Sequence, residues 1–315
     1  MKTIADYEGA HYRTAFWEGR NREYEDRVER IAMKRLLPSK GGRLLELGAG
    51  FGRLTNLYTG FKQVVLVDYD LAHLAYARDR YGHDGYLYVA ADIYHLPFAP
   101  GQFDAATMVR TLHHMGDPLA ALQQSRMALR RDGAFILEYA NKRNLRAIVR
   151  WLSRGRIGQS RWGTVSFNPF RHEVVEFDSN YYGFHPRSVL EMLSEAGFRP
   201  RRQLAVSYLR APILKRLLPL GILVRLDALL QLTGGWWPLS PSEFLRTMAT
   251  GDDLPSPLGA FWRCPACGGM RLQEESEAVR CHDCGHSWPI RNGIYDFRLP
   301  LAPERRVSAA TAFGW

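Results

Sequence analysis

Two patterns in this sequence carry chemistry. The first is Cys264-x2-Cys267 followed, after a 13-residue spacer, by Cys281-x2-Cys284, with Gly268 and Gly285 directly after the pairs. Two thiolate pairs on glycine-bearing knuckles make a tetrahedral zinc site, and a closed four-cysteine site is structural because no coordination position is left for a substrate. His282 and His286 are adjacent, but four thiolates already saturate the ion. Two disulfides would instead need an oxidising compartment, of which the sequence gives no sign. The second pattern is LLELGAGFGR over residues 44–53, a strand-like apolar run ending in Gly48, Gly50 and Gly52. Glycines at alternate positions after a strand let backbone approach a ligand closely, and such turns usually touch a nucleotide. The dinucleotide fingerprint G-x-G-x-x-G is not met. The third glycine comes one residue early and Arg53 stands in its place, which weakens an NAD reading.

Elements at regular intervals must position these residues. YEDRVERIAMKRLLP sets Tyr24, Val28 and Ile31 at helical spacing, and Pro38 stops the helix. Strand-like runs recur at RLLELG (43–48), VVLVD (64–68), YLYVAAD (86–92), FDAATMV (103–109) and AFILEY (134–139). Helical patterns lie between them, as from Leu71 to Arg80 and from Pro118 to Arg130. This alternation predicts an α/β fold, a Rossmann-like, doubly wound, mostly parallel sheet. Ligands of such sheets sit at the carboxyl ends of the strands, where the glycine turn falls. With 315 residues, 46% of them hydrophobic, the chain can bury a sizeable core and is not a disordered protein.

From Leu44 onward the chain resembles the class I S-adenosylmethionine-dependent methyltransferases. Their first motif, E/D-x-G-x-G-x-G, is matched by Glu46, Gly48, Gly50 and Gly52. Asp68 stands where that family's acid accepts the ribose hydroxyls, and Asp92 with Ile93 where the adenine lies. FDAATMVRTLHHM and LRRDGAFILEY resemble the fourth-strand and fifth-strand motifs of the quinone-methylase-like subgroup. The resemblance implies a seven-stranded sheet, with RRQLAVSYL as a strand and SPSEFLRTM closing it near residue 249. It also implies S-adenosylmethionine contacts from Glu46, Gly48, Ala49, Gly50, Gly52, Asp68, Tyr69, Asp92 and Ile93. That cofactor has no phosphates, so it needs backbone approach and carboxylates more than a phosphate cradle. His113 and His114 are the catalytic candidates, because this strand end faces the methyl group in the family and imidazole titrates near neutrality. Either histidine reads equally well as packing or as a cap of the following helix. The N/D-P-P-Y/F signature of enzymes that methylate planar nitrogens is replaced here by VRTLHH.

FWRCPACGG with CHDCGHSWPIRNGIYDF resembles the small zinc-ribbon proteins that activate tRNA, rRNA and release-factor methyltransferases. The likeness implies an activator carried in cis, packed on the catalytic domain. The expected organisation is a methyltransferase domain over residues 1–250, with insertions at about 140–165 and 211–235. A linker follows at 251–259, then a β zinc-ribbon domain at 260–300 and a mobile tail at 301–315.

The acceptor is less legible. Net charge is +10, and the segment between Ala140 and Thr233 holds 16 Lys+Arg against six acids, a difference equal to the whole excess. Lys142, Arg143, Arg146, Arg150, Arg154, Arg156 and Arg161 run without an acid among them and are interleaved with Trp151 and Trp162. That stretch reads either as an RNA footprint or as a solvated face. APILKRLLPLGILVRLDALLQLTGG reads as an inserted helical pair that caps the acceptor pocket or lies on a membrane surface. A small or lipid-linked acceptor with peripheral membrane contact is therefore the first expectation. An RNA methyltransferase with a built-in activator is the second. A non-catalytic cofactor-binding scaffold is disfavoured because no cofactor motif is broken. The N-terminus has no apolar core of signal-peptide length, and the run from Leu217 to Val224 cannot cross a bilayer, so a soluble, cytoplasmic protein is expected.

Overall fold

The structure is a computed structural model that describes Trp17 and residues 22–301 apart from 155–158, 161–162, 165–166, 179–180 and 254. The expected tail from residue 302 onward, and Arg156, Arg161 and Trp162 of the basic stretch, lie outside the described residues. The first helix, α1 (Glu23–Leu36), has Glu23, Glu25 and Asp26 in its first turn and Lys34 and Arg35 in its last, signs that complement the helix dipole. Alternation then proceeds through β1 (Gly41–Leu47), β2 (Phe61–Asp68), α2 (Leu71–Tyr81), β3 (Tyr86–Ala90), β4 (Phe103–Met108), α3 (Pro118–Ala128) and β5 (Leu129–Ala140). Asp70 caps α2, accepting from Ala72 N–H, and Asp117 caps α3, accepting from Ala120 N–H, with Pro118 at its first position. Strand β5 starts five residues earlier than the apolar run from Ala134 predicts, and its pairing with β4 shifts register between Phe103 and Ala105.

After β5 come α4 (Leu145–Arg154) and the two short hairpins β6 (Gln159–Ser160) with β7 (Gly163–Thr164) and β8 (Val175–Asp178) with β9 (Tyr181–Gly183). Next are α5 (Pro186–Glu195), β10 (Phe198–Val206), α6 (Pro212–Leu217), α7 (Leu220–Leu230) and β11 (Ser242–Ala249). The C-terminal strands are β12 (Leu272–Glu274), β13 (Ala278–Cys281), β14 (Ser287–Arg291) and β15 (Ile294–Asp296).

The sheet runs β10-β11-β5-β4-β1-β2-β3-β15-β14-β13-β12. Strands β1 to β5 are parallel neighbours, while β11 is antiparallel to both β5 and β10. Seven strands thus come from the residues before 250, but the expectation of a seven-stranded sheet is corrected: the hydrogen-bonded sheet has eleven. Its extension is made by β15, which pairs parallel with β3 through Ile294 and Tyr88, Tyr295 and Val89, and Asp296 and Ala90. Phe297 N–H donates to Ala90 C=O at 2.7 Å, Ala99 N–H to Phe261 C=O at 2.9 Å and Arg263 N–H to Pro97 C=O at 3.0 Å. Trp262 stacks on Phe98 with ring centroids 5.7 Å apart, and one buried cluster runs from Phe98 and Phe103 through Trp262 to Val279, Trp288 and Phe297. The four-cysteine segment therefore shares both sheet and core with the rest of the chain.

On the opposite face, α7 packs on α1. Asp227, buried, accepts from Tyr24 O–H at 2.6 Å and from Tyr208 N–H at 2.8 Å, and Gln231 Nε2 donates to Val28 C=O at 2.9 Å. No described helix is long and apolar enough to cross a membrane.

Candidate functional site

A cavity opens at the carboxyl ends of β1, β2, β3 and β4. Among its lining residues are Glu46, Gly48, Ala49, Gly50, Asp68, Tyr69, Asp92 and Ile93. These are all the expected cofactor-contact residues except Gly52, whose N–H donates to Ala49 C=O and whose C=O accepts from Tyr81 O–H. Gly48, Gly50 and Gly52 have φ of 67°, 53° and 72°, the left-handed region where glycine carries no steric penalty. A Cβ on Gly48 would come within 2.1 Å of Thr111 Oγ1, whereas one on Gly50 would meet nothing within 4 Å. The turn therefore packs tightly against the β4 end and presents bare backbone to the cavity.

Three acids are fixed around that backbone. Asp68 Oδ2 accepts from Gly50 N–H at 2.7 Å and Oδ1 from Asp70 N–H at 3.0 Å, tying the glycine turn to the start of α2. Burial pushes its pKa up, with the two backbone donors opposing. Glu46 accepts from Thr55 Oγ1 at 2.6 Å and from Tyr58 O–H at 3.0 Å, and burial raises its pKa to about 7. Asp92 accepts from Tyr94 N–H at 2.9 Å and faces His95 Nδ1 at 3.0 Å. A carboxylate has about four acceptor positions, so each acid keeps capacity toward the cavity after these bonds.

The two histidines part company. His114 lines the cavity, whereas His113 is buried behind it, 5% exposed, its ring 4.3 Å from that of His114 and 4.8 Å from that of Tyr181. Burial, then the neighbouring charges of His114 and Arg110, hold His113 well below the usual histidine range, so it is neutral at physiological pH. None of residues 211–235 lines this cavity.

Sequence reasoning missed the wall opposite the glycines. Arg53, in the place of the fingerprint's third glycine, donates to Glu29 Oε2 at 2.6 Å and to Asp26 Oδ1 at 2.5 Å. Arg110 Nε donates to Glu29 Oε1 at 2.9 Å, and Trp17 lies under both guanidiniums, 3.9 and 5.0 Å from its ring centroid. Burial alone would raise the pKa of Glu29, which is fully buried, but Arg110 and Arg53 outweigh it and keep the carboxylate ionised. Arg110 itself has φ of 57°, held by its N–H on Glu138 Oε2 at 2.8 Å. The only sequence signal for this wall was the misplaced Arg53.

Residues 45–137, which hold every one of these strand ends, match the family model described as "Methyltransferase domain". The chain carries a methyltransferase domain. A curated relative, the O-methyltransferase cnsE of Penicillium expansum, is 28% identical over 146 residues, 43% of this chain. The match takes in 53% of that relative, so the chain spans about half the length of the curated protein it matches. Among solved structures, an S-adenosylmethionine-dependent methyltransferase from Listeria monocytogenes is similar with a TM-score of 0.52 at 17% identity, over 72% of this chain and 99% of that one. A Haloferax volcanii complex between the Trm112 methyltransferase activator and a methyltransferase gives 0.51 at 16% identity, over 79% of this chain and 97% of that one. At these identities the structures show the fold alone, and the fold is that of the S-adenosylmethionine-dependent methyltransferases.

Outside the methyltransferase domain, Cys264, Cys267, Cys281 and Cys284 bring their ligand atoms within 4.8 Å of one another. Cys264 and Cys284 sulfurs are 3.7 Å apart, as are those of Cys267 and Cys281. That is far beyond a disulfide bond and close to the ~3.8 Å edge of a tetrahedron with ~2.3 Å metal–sulfur bonds. Each pair sits on a knuckle closed by Gly268 N–H on Cys264 C=O and Gly285 N–H on Cys281 C=O, both glycines at positive φ. His286 Nδ1 lies 3.3 Å from Cys284 Sγ, outside the four-sulfur set. The cluster is compatible with a zinc ribbon.

Lys142, by contrast, does not belong to a basic surface. It is 2% exposed and its ammonium donates to Glu173 C=O.

Proposed function

We propose that this chain transfers the methyl group of S-adenosylmethionine to a small or lipid-linked acceptor, and that its four cysteines hold a structural zinc ion. The observation that carries the first part is the meeting, around one cavity, of bare glycine backbone with Glu46, Asp68 and Asp92. This donor set suits a cationic cofactor with a ribose and an adenine: acceptors for hydroxyls and amines, and no lysine among the described lining residues. When bound, S-adenosylmethionine supplies a methyl carbon already activated by its sulfonium. The chain's own task is to orient an acceptor in line and keep water out. Arg53 and Arg110, paired with Glu29 and, for Arg53, also with Asp26, and stacked on Trp17, form a rigid wall whose positive charge is partly offset by these carboxylates. His114 is the member of the histidine pair placed to take a proton from the acceptor, with His113 behind it as a neutral packing partner.

An acceptor with an apolar part is favoured because the basic stretch does not present a continuous cationic face. Lys142 is buried, and the α4 positions Leu145, Val149 and Leu152 that interrupt the arginines are exposed. The O-methyltransferase relative suggests oxygen as the acceptor atom. The zinc reading rests on the four converging thiols, and the cis activator reading on β15, which covers the edge of β3.

The test is to incubate the protein with methyl-labelled S-adenosylmethionine and a cell extract, then to separate lipid, small polar and RNA fractions. Label is expected in the lipid or small-molecule fraction. Label confined to RNA would contradict the acceptor class, and no incorporation by cofactor-bound protein would contradict transfer. Metal analysis under reducing conditions should find one zinc per chain.

A further inference from the structure

One surface is not used by the cofactor site. Helix α4 exposes Leu145, Val149 and Leu152, spaced i, i+4 and i+7, so an entire apolar stripe of this amphipathic helix faces outward. Across a groove, α6 exposes Ile213 and Leu217 at i and i+4. The turn before β11 adds Trp236 and Trp237, and all seven side chains are between 52% and 89% exposed. These three segments adjoin one another. Leu145 N–H donates to Leu239 C=O at 2.8 Å, Tyr208 O–H to Trp237 C=O at 2.8 Å, and Tyr208 and Leu239 line the groove together with α4 and α6. The same groove is lined by Arg146, Arg150, Arg210 and Arg216, with no carboxylate among its described lining residues.

Exposed leucines in a row are costly in water unless something covers them, and a patch this large marks an interaction surface. The charge decides what covers it. Apolar side chains beside a groove whose described charged lining is arginine, with paired tryptophans nearby, match a bilayer interface: hydrocarbon beneath, anionic headgroups at the level of the guanidiniums, and indoles at the boundary. We infer that this face docks the protein on an anionic lipid membrane surface. An RNA would use the arginines but not the leucine stripe, and a protein partner would need acids opposite four arginines. Arg210 of the groove and Arg110 of the cofactor cavity repel each other electrostatically.

The test uses the full chain and needs no methyl acceptor, so it stands apart from the outcome of the transfer assay. The protein is sedimented with vesicles of phosphatidylcholine and with vesicles of phosphatidylcholine and phosphatidylglycerol, across a salt series. Binding to the anionic vesicles at low salt is expected, weakening as salt rises. Arg146→Gln with Arg216→Gln should weaken it by about twenty-five-fold, at about fivefold per charge. Trp236→Ala with Trp237→Ala should weaken it by about tenfold or more, through lost apolar burial. Both pairs lie outside the cofactor cavity, so unchanged S-adenosylmethionine affinity would certify their folding. Failure of the wild-type chain to sediment with anionic vesicles at low salt would overturn the inference. So would a loss that follows the arginines but not the tryptophans while the chain binds mixed-sequence single-stranded RNA, which would assign the face to nucleic acid.

Discussion

The two ends of the pre-250 sheet solve the same physical problem in different ways. At one end β10 has no second strand partner among the described residues, and its first half reads Arg199, Pro200, Arg201 and Arg202, all exposed, with the register to β11 broken between Pro200 and Arg202. Charge, a missing N–H and an irregular ladder together deter any foreign strand. At the other end β3 carries Tyr88, Val89 and Ala90, each fully buried, and has none of these protections. Its edge is covered instead by β15, some 200 residues later in the chain, and by the stacking of Trp262 on Phe98. An edge guarded by its own side chains is self-sufficient. An edge guarded by a partner strand makes the partner part of the fold.

The largest effect expected from that difference follows loss of a cysteine. Because metal binding to such a site is folding free energy, on the order of 10 kcal/mol, Cys281→Ser should unfold the C-terminal strands, uncover β3 and Phe98, and aggregate. Light scattering on gentle heating, with zinc content measured in parallel, reads this. A variant that loses zinc yet stays monomeric would break the comparison.

A smaller effect should reach the cofactor site from the same end. Arg298, just after β15, donates to Tyr69 C=O at 3.0 Å and to Asp296 at 2.9 Å, and so holds the turn that carries Asp68 and Tyr69. Losing one such charge-assisted bond should weaken S-adenosylmethionine binding by roughly threefold to tenfold in Arg298→Ala. Equal affinities by calorimetry would show that the C-terminal strands cover the sheet without shaping the site. The smallest effect belongs to the β10 end: Arg201→Thr should change stability by no more than about 0.5 kcal/mol, read from urea midpoints, because the remaining edge devices persist.

The order of elements was legible because apolar runs of strand length alternate with capped helices, and the glycine turn was legible because three positive-φ positions demand that residue. Asp68 and Asp92 were found through the motif and line the cavity. What sequence could not reveal is long in range or short in extent. Strand β15 is three residues, Ile294–Asp296, and nothing local says that it pairs with Tyr86–Ala90. Glu29 looks like an ordinary polar helix residue, and only its meeting with Arg53 and Arg110 makes it the centre of a buried wall. Lys142 read as part of a charge run, although its neighbours in space, not in sequence, take its ammonium inside.

The central claim is that the cavity at the glycine turn holds S-adenosylmethionine with Asp68 as an anchor. Calorimetric titration of the wild-type chain and of Asp68→Ala with S-adenosylmethionine, and of the wild type with NAD, tests it directly. Loss of charge-assisted bonds to a buried group costs on the order of 1.5–3 kcal/mol, so the variant should bind about ten- to a hundredfold more weakly than the wild type. NAD should not compete. Equal affinity of wild type and variant, or preferential binding of NAD, would contradict the account.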